Sequence, residues 1–154
     1  MAATTTTANP QIAQGVLNRI RGNIQIASFA ALNITPSFLG ANGFTFTRSG
    51  PATTMIDTLT GRVGSPEPFQ PVDVEIHLVK SQALATAWET QLQNLSIIGD
   101  ITVFTDSAVQ PTYSFTQMTI QNVGPIAVNG KSVEYMLTLT GTYIINNGLW
   151  ALVI

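Results

Sequence analysis

Apolar and polar residues alternate along most of this chain, and in one stretch alone they switch to three- and four-residue spacing. Ile20, Gly22, Ile24 and Ile26 alternate with Arg19, Arg21, Asn23 and Gln25, the period of a strand with two unlike faces, and the strand is expected to run to about Ala30. After an irregular stretch from Ser28 to Pro36, Gly40-Ala41-Asn42-Gly43 reads as a turn into a second strand, Phe44-Thr45-Phe46-Thr47. Val72, Val74, Ile76 and Leu78 alternate with Asp73, Glu75, His77 and Val79 as a third. Ser81 then stands where a helix N-cap would accept a backbone N–H, and Leu84, Trp88, Leu92 and Leu95, with Ala87 and Gln91, form a helical stripe, so the one helix is expected over residues 81–95.

The remainder reads as a β meander. Ile97 to Phe104 is one strand and Tyr113 to Gln121 another; in the latter the apolar face passes from Tyr113 and Phe115 to Met118 and Ile120, which predicts a bulge near Thr116 and Gln117. Asn129-Gly130 between extended runs predicts a two-residue hairpin. Val133, Tyr135, Leu137, Leu139, Tyr143 and Ile145 then share a face opposite Glu134, Thr138, Thr140 and Thr142, the longest alternating run in the chain.

Between the second and third strands lies the least regular segment, Arg48 to Pro71. Gly50, Pro51, Gly61, Gly64, Pro66, Pro68 and Pro71 interrupt it, yet it keeps Met55, Ile56, Leu59, Val63 and Phe69. A loop longer than about 12–15 residues in a compact domain is usually functional or disordered. Disordered segments are polar and charged, whereas this one is apolar and almost uncharged. It is expected to be a long extended arm that folds against another subunit.

Composition points the same way. Of 154 residues, 45% are hydrophobic and only 9% are charged, against about 25% charged in an ordinary soluble domain. Such a surface is expected to be covered by neighbours. One helix cannot cover every sheet face, and unpaired edges invite pairing with other chains. The tail, Leu149-Trp150-Ala151-Leu152-Val153-Ile154, is continuously apolar and is expected to be buried in the fold or at a subunit interface. The length suits a single domain over residues 1–154, with residues 1–10 a flexible leader.

Net charge is −2, and the six basic residues, Arg19, Arg21, Arg48, Arg62, Lys80 and Lys131, are scattered. Tight nucleic-acid binding needs a concentrated basic stripe, which is missing. The absence of cysteine excludes disulfides and thiolate metal sites. Met1 to Asn9 has neither the positive nor the apolar region of a signal peptide, and no apolar run approaches the roughly 20 residues of a membrane span. Synthesis in the cytoplasm of the producing cell is expected, with no membrane insertion.

Candidate chemistry is sparse. His77, the one histidine, reads as a solvated or hydrogen-bonded strand residue: a zinc site would lack ligands, and no nucleophile elbow accompanies a Ser-His-Asp set. Asp73 and Glu75 share a strand face that could be read as an acid–base pair but reads more simply as a solvated face. Asn33-Ile34-Thr35 and Asn94-Leu95-Ser96 fit a glycosylation pattern by chance, and Gly40–Gly43 lacks the setting of a phosphate loop. Arg19 and Arg21 read as ion-pair partners, and Trp88 as core rather than a ligand platform. No catalytic, cofactor or metal residues are assigned, and no enzyme activity is expected.

The order of these features, together with the runs Leu17-Asn18-Arg19-Ile20-Arg21-Gly22, Leu32-Asn33-Ile34-Thr35-Pro36-Ser37, Ser65-Pro66-Glu67-Pro68, Ile76-His77-Leu78-Val79-Lys80 and Ile144-Ile145-Asn146-Asn147-Gly148-Leu149-Trp150, resembles the tail tube proteins of contractile-tailed bacteriophages. The resemblance implies a mainly β fold of two roughly orthogonal antiparallel sheets beside one helix, closing as a hexameric ring whose sheets form a continuous inner barrel. Rings would stack helically into the tube inside the tail sheath, the conduit for DNA ejection. The long loop would reach the adjacent ring through Arg48, Thr53, Thr54, Met55, Ile56, Leu59, Arg62 and Val63. Leu149, Trp150, Leu152 and Ile154 would lie at a subunit interface. Asp73, Glu75 and Glu134 would face the lumen, where carboxylates repel phosphate. Implied partners are copies of the chain, the sheath protein, the tape-measure protein and double-stranded DNA in transit, and baseplate and terminator proteins at the ends; the implied location is the virion. The alternatives are a ring protein of a tailocin or secretion system, and a small ligand-binding β-barrel, which a closed apolar cavity within one chain would mark.

Overall fold

The computed structural model describes residues 20–79 and 83–151, with the backbone alone at Trp150 and Ala151. It is mainly β with one main helix, as the alternation predicts. In chain order the elements are β1 (Gly22–Ile26), β2 (Leu39–Arg48), β3 (Thr53–Thr58), β4 (Gly61–Pro66), β5 (Phe69–Val79), α1 (Ala83–Asn94), β6 (Ile97–Thr105), β7 (Tyr113–Val123), β8 (Glu134–Ile144) and the short α2 (Asn147–Ala151). Six strands form one antiparallel sheet in the order β1-β6-β7-β8-β5-β2, curled into a half-barrel, while β3 and β4 pair separately.

Alternation sets what the curl encloses. Ile24 and Ile26, Val72 to Leu78 at every second position, Ile101 and Val103, Phe115, and Leu137 and Leu139 all point inward and are buried, as are Leu84, Ala85 and Trp88 of α1. The curl brings edge strand β2 across to β7, three places away: the Phe46 ring lies 4.8 Å from Tyr113 and 5.3 Å from Phe115, and Phe115 meets Tyr143 at 5.6 Å. Edge-on and tilted aromatic contacts of this kind fill an interior efficiently. The two sheet edges also meet, because Gly22 in β1 has no side chain where Phe44 of β2 approaches; a Cβ there would stand 2.9 Å from Phe44 Cζ.

The predicted bulge in β7 is present. Register shifts between Thr116 and Thr119, and Gln117 takes a left-handed φ of 54°. The bulge turns Met118 inward over Gly141 of β8. A Cβ on Gly141 would overlap Met118 Sδ and sit 3.0 Å from both Met118 Cα and Thr116 O. Two of those atoms are backbone and cannot swing away, so Gly141→Ala is expected to destabilise the fold by about 1–3 kcal/mol. Urea unfolding measures this; an unchanged midpoint would mean that β7 and β8 lie farther apart.

Several boundaries differ from the sequence reading. Arg48–Pro71 is no structureless loop, because Thr53–Thr58 and Gly61–Pro66 pair in register from Thr53↔Pro66 to Thr58↔Gly61. β1 ends at Ile26, where Asn33 Oδ1 accepts its N–H and the chain turns into a 3-10 segment at Ala30–Leu32. Gly40–Gly43 is a bulge within β2, between its pairs at Leu39 and Phe44, rather than a turn before it. Asn129-Gly130 does not close a tight hairpin. Pro125 cannot donate to a ladder, the last β7–β8 pair is Val123↔Leu137, and Asn129 Oδ1 instead accepts the N–H groups of Lys131 and Ser132 in a wide connection. The last run is not uniquely long, since β5, β7 and β8 each have 11 residues. The leader, Arg19, Lys80, the Ser81 cap, the Trp150 side chain, Leu152 and Ile154 lie outside the described residues.

Candidate functional site

Two surfaces stand out, the β3–β4 hairpin and the outer face of the curled sheet. In the hairpin, every residue from Thr53 to Gly64 is exposed. Ile56 and Val63 face each other across the strands, 52% and 56% exposed, while Met55 is 48% exposed and Leu59, in the two-residue turn, is fully so. On the other face Arg62 Nε donates to Asp57 Oδ1 at 2.9 Å, an exposed pair that adds little stability. The apolar side chains are therefore presented outward, with no described part of the chain to cover them.

The hairpin is fixed at its base. Glu67 N–H donates to Ala52 O at 2.9 Å, Thr54 Oγ1 donates to Glu67 Oε1 at 2.6 Å, and Ile145 N–H donates to Pro68 O at 3.1 Å. Asn146 is central here. Its left-handed backbone (φ 58°) turns the amide under the hairpin, where Nδ2 donates to Glu67 O at 2.6 Å and Ala52 O at 3.2 Å. The sequence reading missed this role. Its signal is Asn146-Asn147-Gly148 at a strand end, since asparagine tolerates left-handed backbone and carries two amide donors.

The outer face is polar by alternation. Thr45 and Thr47 of β2 pair with Glu75 and Asp73 of β5, which pair in turn with Thr138 and Thr140 of β8. Among the described residues the strand positions of this face hold the carboxylates of Asp73, Glu75, Asp100 and Glu134, the imidazole of His77, and neither lysine nor arginine. Asp73 and Glu75 are exposed there. The structure brings together Glu75 and Glu134, 59 positions apart, through His77: Nε2 lies 3.0 Å from Glu75 Oε1 and Nδ1 3.1 Å from Glu134 Oε2.

The basic side chains are engaged away from this face. Arg48 points inward and lies over the Tyr143 ring at 5.3 Å. Arg21 binds Asp106 through its backbone N–H and its Nε, both at 3.0 Å, and these hydrogen bonds, the backbone one foremost, hold the Asp106 carboxyl below its ordinary value. On α1, Glu89 accepts the Tyr135 hydroxyl at 2.6 Å; burial first, then this hydrogen bond, push the phenol well above the usual tyrosine range.

Two open grooves border these surfaces. One of about 510 Å³ lies where the hairpin base meets the β7 bulge, between Phe69, Ile144, Thr142 and Gln117. The other, about 640 Å³, runs between the sheet edges past Gly22, Asn42 and Phe44. Among the described residues no three His, Asp or Glu side chains are grouped to hold a metal ion, and no helix is long and apolar enough to cross a membrane. Leu149, on α2, is 41% exposed. The chain matches no protein-family model and no curated protein.

Proposed function

We propose that this chain is a structural subunit that polymerises as stacked hexameric rings into the inner tail tube of a contractile phage. The observation that carries the reading is the β3–β4 hairpin, an arm with outward apolar side chains, anchored only at its base. A two-stranded hairpin is marginal by itself in water, and Met55, Ile56, Leu59 and Val63 gain burial only from another molecule. A contact from an arm on one copy to a different surface on the next is head-to-tail, and such contacts build rings or filaments.

Other features support the same reading. Among the described residues β2 pairs on one side only, with β5, which leaves an edge for the sheet of a neighbouring subunit. The outer face, rich in threonine and acidic without lysine or arginine, would repel phosphate and let DNA and a tape-measure protein slide through a lumen. The half-barrel interior is packed with aromatic side chains, which speaks for a core rather than a ligand cavity. In the virion the sheath would surround the tube, and baseplate and terminator proteins would meet its ends.

Electron microscopy and light scattering of the purified full chain test the proposal. Rings or tubes are expected; protein that stays monomeric at high concentration and shows neither would overturn it.

A further inference from the structure

His77 occupies an outer-face position of β5 with its side chain only 13% exposed, between a carboxylate on each side. Glu75, from the same strand, lies 3.0 Å from Nε2, and Glu134, from the start of β8, lies 3.1 Å from Nδ1. Asn42, in the β2 bulge, donates its amide to both oxygens of Glu134 at 3.0 and 3.2 Å. Gly40 leaves room for that approach, since a Cβ there would stand 3.0 Å from Glu134 Oε1.

The chemistry of the three groups restricts their protonation. An ionised carboxylate only accepts hydrogen bonds, and a neutral imidazole donates from one nitrogen and accepts at the other. Two carboxylates on two ring nitrogens are satisfied together only when the ring carries both protons. Loss of one proton leaves a lone pair facing a carboxylate, and one partner must leave. The two partners are not equivalent. Glu134 keeps the Asn42 amide and is 25% exposed, whereas Glu75 is 50% exposed and has no second hydrogen-bond partner among the described residues.

We propose that His77 is a proton-operated switch of the outer face: doubly protonated it clamps Glu75 to Glu134, and neutral it stays bonded through Nδ1–H to Glu134 and releases Glu75 as a free carboxylate. The groups facing the ring are Glu75 from β5 and Glu134 from β8; β2 contributes the uncharged Asn42, and the cross-strand neighbour is Met136. Asp73 shares the face farther along β5, opposite Thr140. Proton loss makes the face more negative by one charge and also unties a carboxylate, so any cation or partner held there would feel both changes. The switch does not depend on the tube assignment, because it is built within one chain.

Nitrogen-15 and carbon-13 NMR of the full chain, in solution or in spinning solids if it assembles, reads the switch directly. In acid both ring nitrogens should be protonated. As pH rises the neutral ring should become the Nδ1–H tautomer, the minor form of free histidine, with the Glu75 carboxyl signal moving in step. Glu134→Gln should turn the neutral ring to the Nε2–H tautomer and keep Glu75 bound, while Glu75→Gln should leave Nδ1–H in place. A neutral ring protonated on Nε2 in the unaltered protein, or a Glu75 signal that ignores the ring's titration, would refute the proposal, and both are read without any variant.

Discussion

Replacing Thr54–Ser65 with a two-residue turn should abolish tube formation while leaving the subunit folded. The cut follows the ladder: Thr53↔Pro66 remains as the closing pair, and the Glu67–Ala52 and Asn146–Glu67 hydrogen bonds at the base are untouched. No residue removed belongs to the buried core. Surface changes of this kind usually alter stability by no more than about 0.5 kcal/mol. Assembly should suffer far more. Fully burying one large apolar side chain contributes roughly 1.5–3 kcal/mol, and Met55, Ile56 and Val63 have about half of that still to gain, Leu59 nearly all of it. That is on the order of several kcal/mol at every subunit contact, repeated along the tube. Sedimentation and electron microscopy of the shortened chain measure the outcome. Tubes of normal length would show that the arm is not the stacking element, and an unfolded product would show that the hairpin supports its own sheet. The milder pair Ile56→Ser with Val63→Ser keeps the hairpin backbone and should weaken assembly without eliminating the arm.

The second large effect is expected at Trp88. The indole is fully buried on α1 between the helix and the curled sheet, so Trp88→Ala should cost about 3–5 kcal/mol. Native stability is typically only about 5–15 kcal/mol, so that loss would bring the subunit close to unfolding at ordinary temperature. Trp88→Phe should cost much less. It keeps an aromatic ring, and it removes an indole N–H that has no hydrogen-bond partner among the described residues, a group that is costly to bury unsatisfied. Chemical denaturation monitored by circular dichroism compares the two. If Trp88→Ala left the midpoint unmoved and a soluble quencher reached the indole fluorescence, the residue would be an exposed platform and not core.

Much of the fold is legible because alternation in a strand reports directly which face is buried. Val72, Val74, Ile76 and Leu78 are inward in β5, as their spacing requires, and Tyr135, Leu137 and Leu139 are inward in β8. The bulge at Thr116–Gln117 is legible for the same reason, since an extra residue must flip the pattern. The hairpin within 48–71 is harder to see. Its apolar residues are not buried against the sheet, so no period records a core face, and Gly61, Gly64 and Pro66 read as breakers although they stand within or beside paired strands. Asn129-Gly130 misleads in the opposite sense, because a local turn preference is weaker than the need to part β7 and β8 at Pro125.

The sequence by itself determined the class of the fold, the inner and outer residues of its long strands, the place of its helix, and a surface too poor in charge to be mostly solvated. These are local or compositional properties, written in period two, period three-to-four and residue type. Tertiary structure alone decided that the strands join as one curled sheet, that Asn146 props the hairpin from 79 positions beyond Glu67, and that Glu134 reaches His77 across 57 positions. Such contacts depend on strand order and register, and alternation fixes which face a residue takes without saying which distant strand will lie beside it.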